Sequence, residues 1–369
     1  MKILITGAKG FVGKNLVAQL RNSGFQDLYE YDVDSTISDL EIFTKDCDFV
    51  FHLAGVNRPQ NPSEFMEGNF EFTSDLLNLL KKNSNKAPVL ITSSIQAALD
   101  NPYGQSKKAG EDLLFNYGKE NNVKVLVYRL PNVFGKWCRP NYNSAIATFC
   151  NNIANDIDIT VNDPNVIMNV VYIDDVVEEF IRALNGSETK AEGFCKVPVT
   201  HSAKLGDIVD TIKSFKESRK NFGIVNVGDV LTSKLYSTYL SYLDRKDFSY
   251  PLKMNVDERG SFTEILKSND RGQVSVNISK PKITKGNHWH NSKNEKFLVV
   301  KGEAIIRFRK IDETEIIEYE VSGEKLEVVD IPCGYTHNIE NIGDGDLVTV
   351  MWCNEIYNPE KPDTYFLPV

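Results

Sequence analysis

The sequence predicts an α/β doubly wound unit on a parallel sheet, followed by an all-β unit. Over residues 1 to about 245, short apolar runs alternate with amphipathic stretches. Beyond that, short alternating runs follow one another with Gly and Pro between them and no helical segment. Near-continuous apolar strands separated by helices imply a sheet covered on both faces, whereas closely spaced alternating strands imply a sandwich or barrel. Charge and a proline follow the last helical segment at residues 243–251, which sets the expected units at 1–245 and 246–369.

In chain order, apolar runs at 3–5, 28–31, 49–53, 89–92 and 123–128 predict strands, and the 3.6-residue patterns at 11–23, 65–82 and 104–121 predict helices. In the second unit, strands are expected at 274–278, 296–300, 304–308, 316–321, 326–331 and 347–352.

Composition narrows the class. Of 369 residues, 41% are hydrophobic and 25% charged, with 20 Phe and 15 Tyr, which is enough apolar material for packed cores. A net charge of -9 argues against a nucleic-acid partner, since that affinity comes from clustered Lys and Arg. Six cysteines with no C-x-x-C pair suit reduced thiols in a cytoplasm. The apolar run after Met1 is too short for a signal-peptide core, and no stretch approaches a membrane span. A cytoplasmic protein without membrane insertion is the expectation.

The first strand runs into Gly7-Ala8-Lys9-Gly10-Phe11-Val12-Gly13, which opens the first helix. Glycines at this spacing allow a tight turn and bring a dinucleotide pyrophosphate onto the helix N-terminus. The triplet alone also fits an ordinary strand-to-helix turn. Asp32, ending the second strand about 20 residues on, favours the Rossmann-like reading. Asp32 would take ribose hydroxyls and points to NADH, whereas Lys9 could reach a 2′-phosphate and points to NADPH.

Tyr103-Gly104-Gln105-Ser106-Lys107 places a phenol and an ammonium one helical turn apart. Carbonyl reduction uses such a pair: the ammonium lowers the phenol pKa, and the phenol gives its proton as hydride reaches the carbon. Ser93 and Ser94, after the strand at 89–92, could hold the same oxygen.

Together these residues resemble the extended short-chain dehydrogenase/reductase family. The likeness also rests on His52-Leu53-Ala54-Gly55, Asn69 with Thr73, Thr92-Ser93-Ser94, the run Arg129 to Gly135 and the run Val171 to Val176. It implies that Ser94, Tyr103 and Lys107 are catalytic. It further implies that Leu53, Ala54 and Gly55 flank the dinucleotide, and that Arg129 and Asn132 belong to a sugar-nucleotide site. His52 is expected to be a strand-end residue. Relatives that are 4,6-dehydratases carry an acidic pair where this chain has Ile95-Gln96, so reduction is expected instead.

The second unit gathers three of the five histidines in His288-Trp289-His290 with Glu295 and Gly302, then Pro332-Cys333-Gly334-Tyr335-Thr336-His337 with Asn341. Alternate residues of a strand share a face, so His288 and His290 can join Glu295 and His337 around Zn²⁺ or another divalent ion. These residues resemble the two cupin motifs, implying a jelly roll, although the glycines expected five residues before His288 and Pro332 are missing. Residues 257–264 and 355–360 are similar to deoxysugar 3,5-epimerases of the cupin class, in which the counterpart of His288 is a base. His288 is thus a metal ligand or a base, and Tyr335 and Tyr357 are candidate proton donors.

The fusion as a whole resembles bifunctional capsular-polysaccharide synthesis reductases of the CapF type. That implies a UDP-linked 4-keto-6-deoxy amino sugar, epimerised at C3 by the cupin and reduced at C4. The product would be UDP-2-acetamido-2,6-dideoxy-L-talose, on the route to UDP-N-acetyl-L-fucosamine. A reductive biosynthetic step favours NADPH, with NADH not excluded. The alternative leaves only a reductase, with the cupin as a metal-stabilised dimerisation module. A homodimer is expected in either case.

Overall fold

Alternate residues of the first strand serve opposite cores, with Ile3 and Ile5 in one apolar cluster and Leu4 in another. Phe49 and Phe51 against Val50 repeat that division, as do Leu126 and Tyr128 against Val127. A sheet buried on both faces follows from this pattern. The computed structural model describes Met1–Val369.

The first unit comprises Met1–Ser214 with Asn226–Arg245, and the second Phe215–Val225 with Lys246–Val369. The segment 215–225 joins the second unit through main-chain bonds, Ile224 N–H donating to Lys267 O (3.0 Å) and Lys267 N–H to Phe222 O (2.8 Å).

In the first unit the elements begin β1 (Ile3–Thr6), α1 (Phe11–Asn22), β2 (Leu28–Tyr31), α2 (Ile37–Asp46) and β3 (Phe49–His52). Then come α3 (Ser63–Met66), α4 (Phe72–Lys82), β4 (Val89–Ser94), α5 (Pro102–Asn121), β5 (Val125–Leu130) and β6 (Asn132–Phe134). The rest are α6 (Ala145–Ala154), β7 (Ile167–Tyr172), α7 (Ile173–Leu184), β8 (Lys190–Ala191), β9 (Phe194–Cys195), β10 (His201–Lys204), α8 (Leu205–Asn221), whose residues from Phe215 on belong to the second unit, and α9 (Val230–Leu240).

Seven strands form the main sheet in the order β2-β1-β3-β4-β5-β9-β8, parallel from β2 to β9, and β10-β7-β6 form a smaller one. The helical pattern at 65–82 is interrupted by a π-turn at Glu67–Glu71, which carries Asn69. Such bulges often mark functional positions.

The second unit is antiparallel throughout its paired strands. Its strands are β11 (Met254–Asp257), β12 (Gly260–Ser268), β13 (Gly272–Ser279), β14 (Thr284–Trp289), β15 (Glu295–Lys301) and β16 (Glu303–Lys310). They continue with β17 (Ile316–Ser322), β18 (Val328–Ile331), β19 (Tyr335–Asn341), β20 (Leu347–Cys353) and β21 (Tyr365–Phe366). Six of them form the sheet β11-β12-β13-β20-β15-β18, and five form β17-β16-β19-β14-β21. Phe297, Val299, Ile306, Phe308, Ile331 and Ile339 fill the core of this two-sheet jelly roll. No helix in the chain is long and apolar enough to cross a membrane, and all six cysteines are free.

Candidate functional site

The glycine loop closes onto the start of α1. Gly7 has φ +69°, and a Cβ there would stand 2.7 Å from Ala54 N. At Gly13 a Cβ would come 2.1 Å from Gly7 O, so helix and turn approach as only glycine allows. The loop borders a cleft of about 710 Å³ lined by Gly7, Lys9, Gly10, Phe11, Val12 and Gly13, with Leu53, Gly55, Ser94, Tyr103, Lys107 and Asn132.

Ala54 and Asp32 lie outside that lining. The Asp32 carboxylate accepts from the main-chain N–H of Lys9 (2.7 Å) and of Val33 (2.9 Å), while the Lys9 ammonium pairs with Asp34. Both residues that argued for one nicotinamide over the other are therefore engaged with loop neighbours.

Helix α5 begins with Asn101 capping Gly104 N–H (2.8 Å) and Pro102 in its first turn, which orients Tyr103 and Lys107 on one face. The Lys107 ammonium stands 5.9 Å from the Tyr103 ring centre, and a Cβ on Gly55 would lie 2.9 Å from it. Burial pushes Lys107 down to about 8, with Glu111 working the other way. Burial also raises the Tyr103 phenol, against a hydrogen bond with Ser94. Lys107 was expected to lower that phenol, but burial sets the direction here.

The two serines part company. Both line the cleft, but Ser93 is buried and donates to Glu111 Oε1 (2.6 Å), while Ser94 is half-buried. Glu111 also holds Arg129 through two bonds, Nε to Oε1 (2.8 Å) and Nη2 to Oε2 (2.6 Å), and Arg129 lies 4.0 Å from the Phe194 ring centre. Arg129, expected at the sugar-nucleotide site, is committed to this ion pair and does not line the cleft, whereas Asn132 does.

Sequence reading missed Glu111, although it follows Lys107 by four residues and shares its helix face. It also missed Arg58, Trp137, Arg139 and Tyr142, which line the cleft from loops without periodicity. His52 is structural, as expected: Nδ1 lies 2.7 Å from the Thr6 hydroxyl and Nε2 2.8 Å from that of Thr73. Burial, with the Lys107 charge beside it, pushes His52 down to about 3.

In the second unit His288, His290, Glu295 and His337 offer ligand atoms that all lie within 4.8 Å of one another. Glu295 Oε2 is 3.3 Å from Nε2 of both His290 and His337. Burial works to raise the Glu295 carboxyl, but the two imidazoles and the Lys293 ammonium at 2.9 Å outweigh it and hold it well below the carboxylate range. Burial lowers His288 to about 4, with His337 and His290 adding to the effect.

His337 is 1% exposed; its Nδ1 has no hydrogen-bond partner, and its Nε2 meets only the Glu295 carboxylate at 3.3 Å. A buried carboxylate among three imidazoles matches the donor set of a borderline divalent cation.

Three of the four, His288, Glu295 and His337, border a cavity of about 1040 Å³ that is also lined by Arg259, Lys285, Lys293, Trp352 and Tyr357. Of the two candidate proton donors, Tyr357 reaches the cavity and Tyr335 packs against the apolar core.

Comparison with known proteins agrees with this division. Residues 3–194 match the NAD dependent epimerase/dehydratase family, and residues 255–365 match the polysaccharide biosynthesis C-terminal domain. A Pseudomonas aeruginosa protein named UDP-2-acetamido-2,6-beta-L-arabino-hexul-4-ose reductase is 45% identical, over 99% of this chain and 98% of its own. The crystal structure of the capsular polysaccharide assembling protein CapF from Staphylococcus aureus superposes with a TM-score of 0.95, at 54% identity and 100% coverage of both chains. A UDP-glucuronic acid 4-epimerase from Bacillus cereus, 20% identical with a TM-score of 0.55, covers 66% of this chain and 96% of its own, and shares the fold.

Proposed function

The chain belongs to the NAD dependent epimerase/dehydratase family, in its CapF-type form with a C-terminal cupin, and from that premise we propose that it epimerises and then reduces a UDP-linked 4-ketosugar. It is an oxidoreductase of sugar-nucleotide metabolism in capsule synthesis. The observation that carries the reductive half is the convergence of Ser94, Tyr103 and Lys107 on a cleft bounded by the glycine loop.

There Ser94 and Tyr103 hold the C4 oxygen, and Tyr103 passes its proton to that oxygen as the ketone becomes an alkoxide. The buried Lys107 cation stabilises the phenolate left behind. NADPH, when bound along the loop, supplies the hydride. With only loop contacts to Asp32 and Lys9 in view, NADPH rests on the reductive sense of the reaction.

The epimerising half is assigned to the cupin. His290, Glu295 and His337 would hold a divalent cation, taken as zinc, which when bound would supply the Lewis-acid charge that acidifies a hydrogen beside a ketone. His288, the half-buried member of the quartet, either completes the ligand set or takes the C3 hydrogen, and Tyr357, which reaches the same cavity, would return a proton to C3 from the opposite face. Chemistry orders the steps, because the ketone that acidifies C3 is consumed by reduction. The product is then UDP-2-acetamido-2,6-dideoxy-L-talose, which leads to UDP-N-acetyl-L-fucosamine.

The test is product analysis by NMR, with the UDP-linked 4-ketosugar and each nicotinamide in turn. Inverted C3 with reduced C4 supports the proposal. Reduction with C3 unchanged leaves a reductase whose cupin is a metal-stabilised dimerisation module, and Glu295→Ala would then weaken assembly without altering product stereochemistry.

A further inference from the structure

The four residues between His290 and Glu295 belong to no strand or helix, so no sheet ladder sets the spacing of these two ligands. Two side chains hold that loop: Asn354 takes the Asn294 N–H at 2.9 Å, and Asp363 takes the three before it. The carboxylate of Asp363, 73 residues beyond His290, accepts from the main-chain N–H groups of Asn291 (3.0 and 3.1 Å), Ser292 (2.7 Å) and Lys293 (2.9 Å). The Ser292 hydroxyl adds a fourth donor at 3.2 Å.

The same residue reaches the ligand itself. Its main-chain carbonyl lies 2.5 Å from His290 Nδ1. A carbonyl can only accept, so Nδ1 carries the proton, and the tautomer protonated there alone leaves the Nε2 lone pair free for a cation beside Glu295. The tail around Asp363 is pinned: Phe366 and Tyr365 pair with His288 and Trp289, Tyr365 stacks on Trp289 at 4.9 Å, and Leu367 N–H donates to Asn287 O at 2.9 Å.

We propose that Asp363 is a positioning residue of the cupin metal site. Its carboxylate sets the loop that spaces His290 from Glu295, and its carbonyl selects the His290 tautomer able to ligate. This rests on the reading that the quartet holds a divalent cation, which the close set of four ligand atoms and the partnerless His337 Nδ1 support. Outer contacts of this kind raise metal affinity by preorganising the ligands.

The experiment strips the full-length chain of metal and titrates Zn²⁺ against a chelating dye in the parent, Asp363→Asn, Asp363→Ala and Arg309→Ala. Arg309 holds the tail at Pro368 O (2.7 Å) without touching the ligand loop, and serves as the control for tail loosening. The Asp363 variants are expected to bind zinc roughly 10–100-fold more weakly, with Arg309→Ala matching the parent. Visible bands of the Co²⁺-loaded protein should shift in the Asp363 variants alone, a readout that lowered stability does not move.

If Asp363→Ala fails to fold, the near-isosteric Asp363→Asn carries the test. Zinc affinity within about threefold of the parent's, with an unchanged Co²⁺ spectrum, overturns the proposal and leaves the cation site standing. A parent chain that takes up no zinc overturns the cation site itself.

Discussion

His52 and His337 are equally buried, each 1% exposed, yet their surroundings differ in kind. His52 sits between the hydroxyls of Thr6 and Thr73, so both nitrogens are paired and the ring is part of the sheet. His337 has no partner at Nδ1, and its Nε2 meets only the Glu295 carboxylate at 3.3 Å, beside two further imidazoles. Buried polar groups are as a rule hydrogen-bonded, so a paired ring reads as scaffold and an unpaired nitrogen calls for a partner. The contrast extends to the two sites. In the first, Ser93, Glu111 and Arg129 satisfy one another within the chain, and in the second, ligand atoms of three imidazoles and a carboxylate lie within 4.8 Å of one another.

The largest expected effect belongs to the reductive site, whose chemistry then depends on single protein groups. Tyr103→Phe should lower kcat for ketosugar reduction by roughly 10²–10⁴-fold, the worth of a positioned acid. Steady-state assays with and without a chelator sharpen the contrast, since the C4 reduction of an already epimerised substrate should not respond to chelation. A chelator-sensitive reduction would break it.

Glu111→Gln comes next. It strips the partner from Arg129, whose side chain is a quarter exposed, so the cost should fall below that of a fully buried pair, at about 2–3 kcal/mol in urea unfolding. It also removes the group that raises Lys107. Lys107 acts as a cation, so reduction should decline as pH rises through about 8, and in Glu111→Gln the decline should begin at lower pH. An unmoved pH limb would separate Glu111 from the chemistry.

The two histidines can be compared directly. His337→Ala should abolish the stabilisation that zinc gives the parent, about 2.7 kcal/mol when zinc is at 100 times its Kd, and cost little in chelator. His52→Ala should cost roughly 1–3 kcal/mol with or without zinc, because two threonine hydroxyls lose their partner. Thermal melts of both variants with zinc and with chelator give the four values needed. Equal zinc dependence in the two variants would erase the distinction.

Smallest is the serine pair. Ser93→Ala should lose about 1 kcal/mol of stability and little kcat, because its hydroxyl is spent on Glu111, whereas Ser94→Ala should lower kcat. Matched kcat losses would place both hydroxyls at the substrate.

Local pattern accounts for what the chain disclosed in advance. Strand alternation exposed the double-sided sheet at Ile3, Leu4 and Ile5, and close spacing exposed the Tyr103-Lys107 pair, the glycine loop and the His288-His290 pair. Contacts made across the fold carried no such mark. Arg129 looked like a substrate residue because nothing in its own segment announced Glu111 from the neighbouring helix. Residues 215–225 fall within the expected first unit, 1–245, yet main-chain bonds of Phe222 and Ile224 run to Lys267. Asp363 lies in a stretch with no period, and only the fold brings it to the His290 loop. Desolvation was equally invisible, which is why the direction of the Tyr103 shift was misjudged.

The account turns on two separable steps in one chain, and hydrogen exchange at C3 tests that most directly. The zinc-loaded full-length protein is incubated with the UDP-linked 4-ketosugar in heavy water without nicotinamide, and the recovered sugar is examined by NMR. Deuterium at C3 is predicted for the parent and for Tyr103→Phe, and its absence for Glu295→Ala. A ketosugar recovered from the parent with its C3 hydrogen intact, under conditions where added NADPH still reduces C4, would contradict the account.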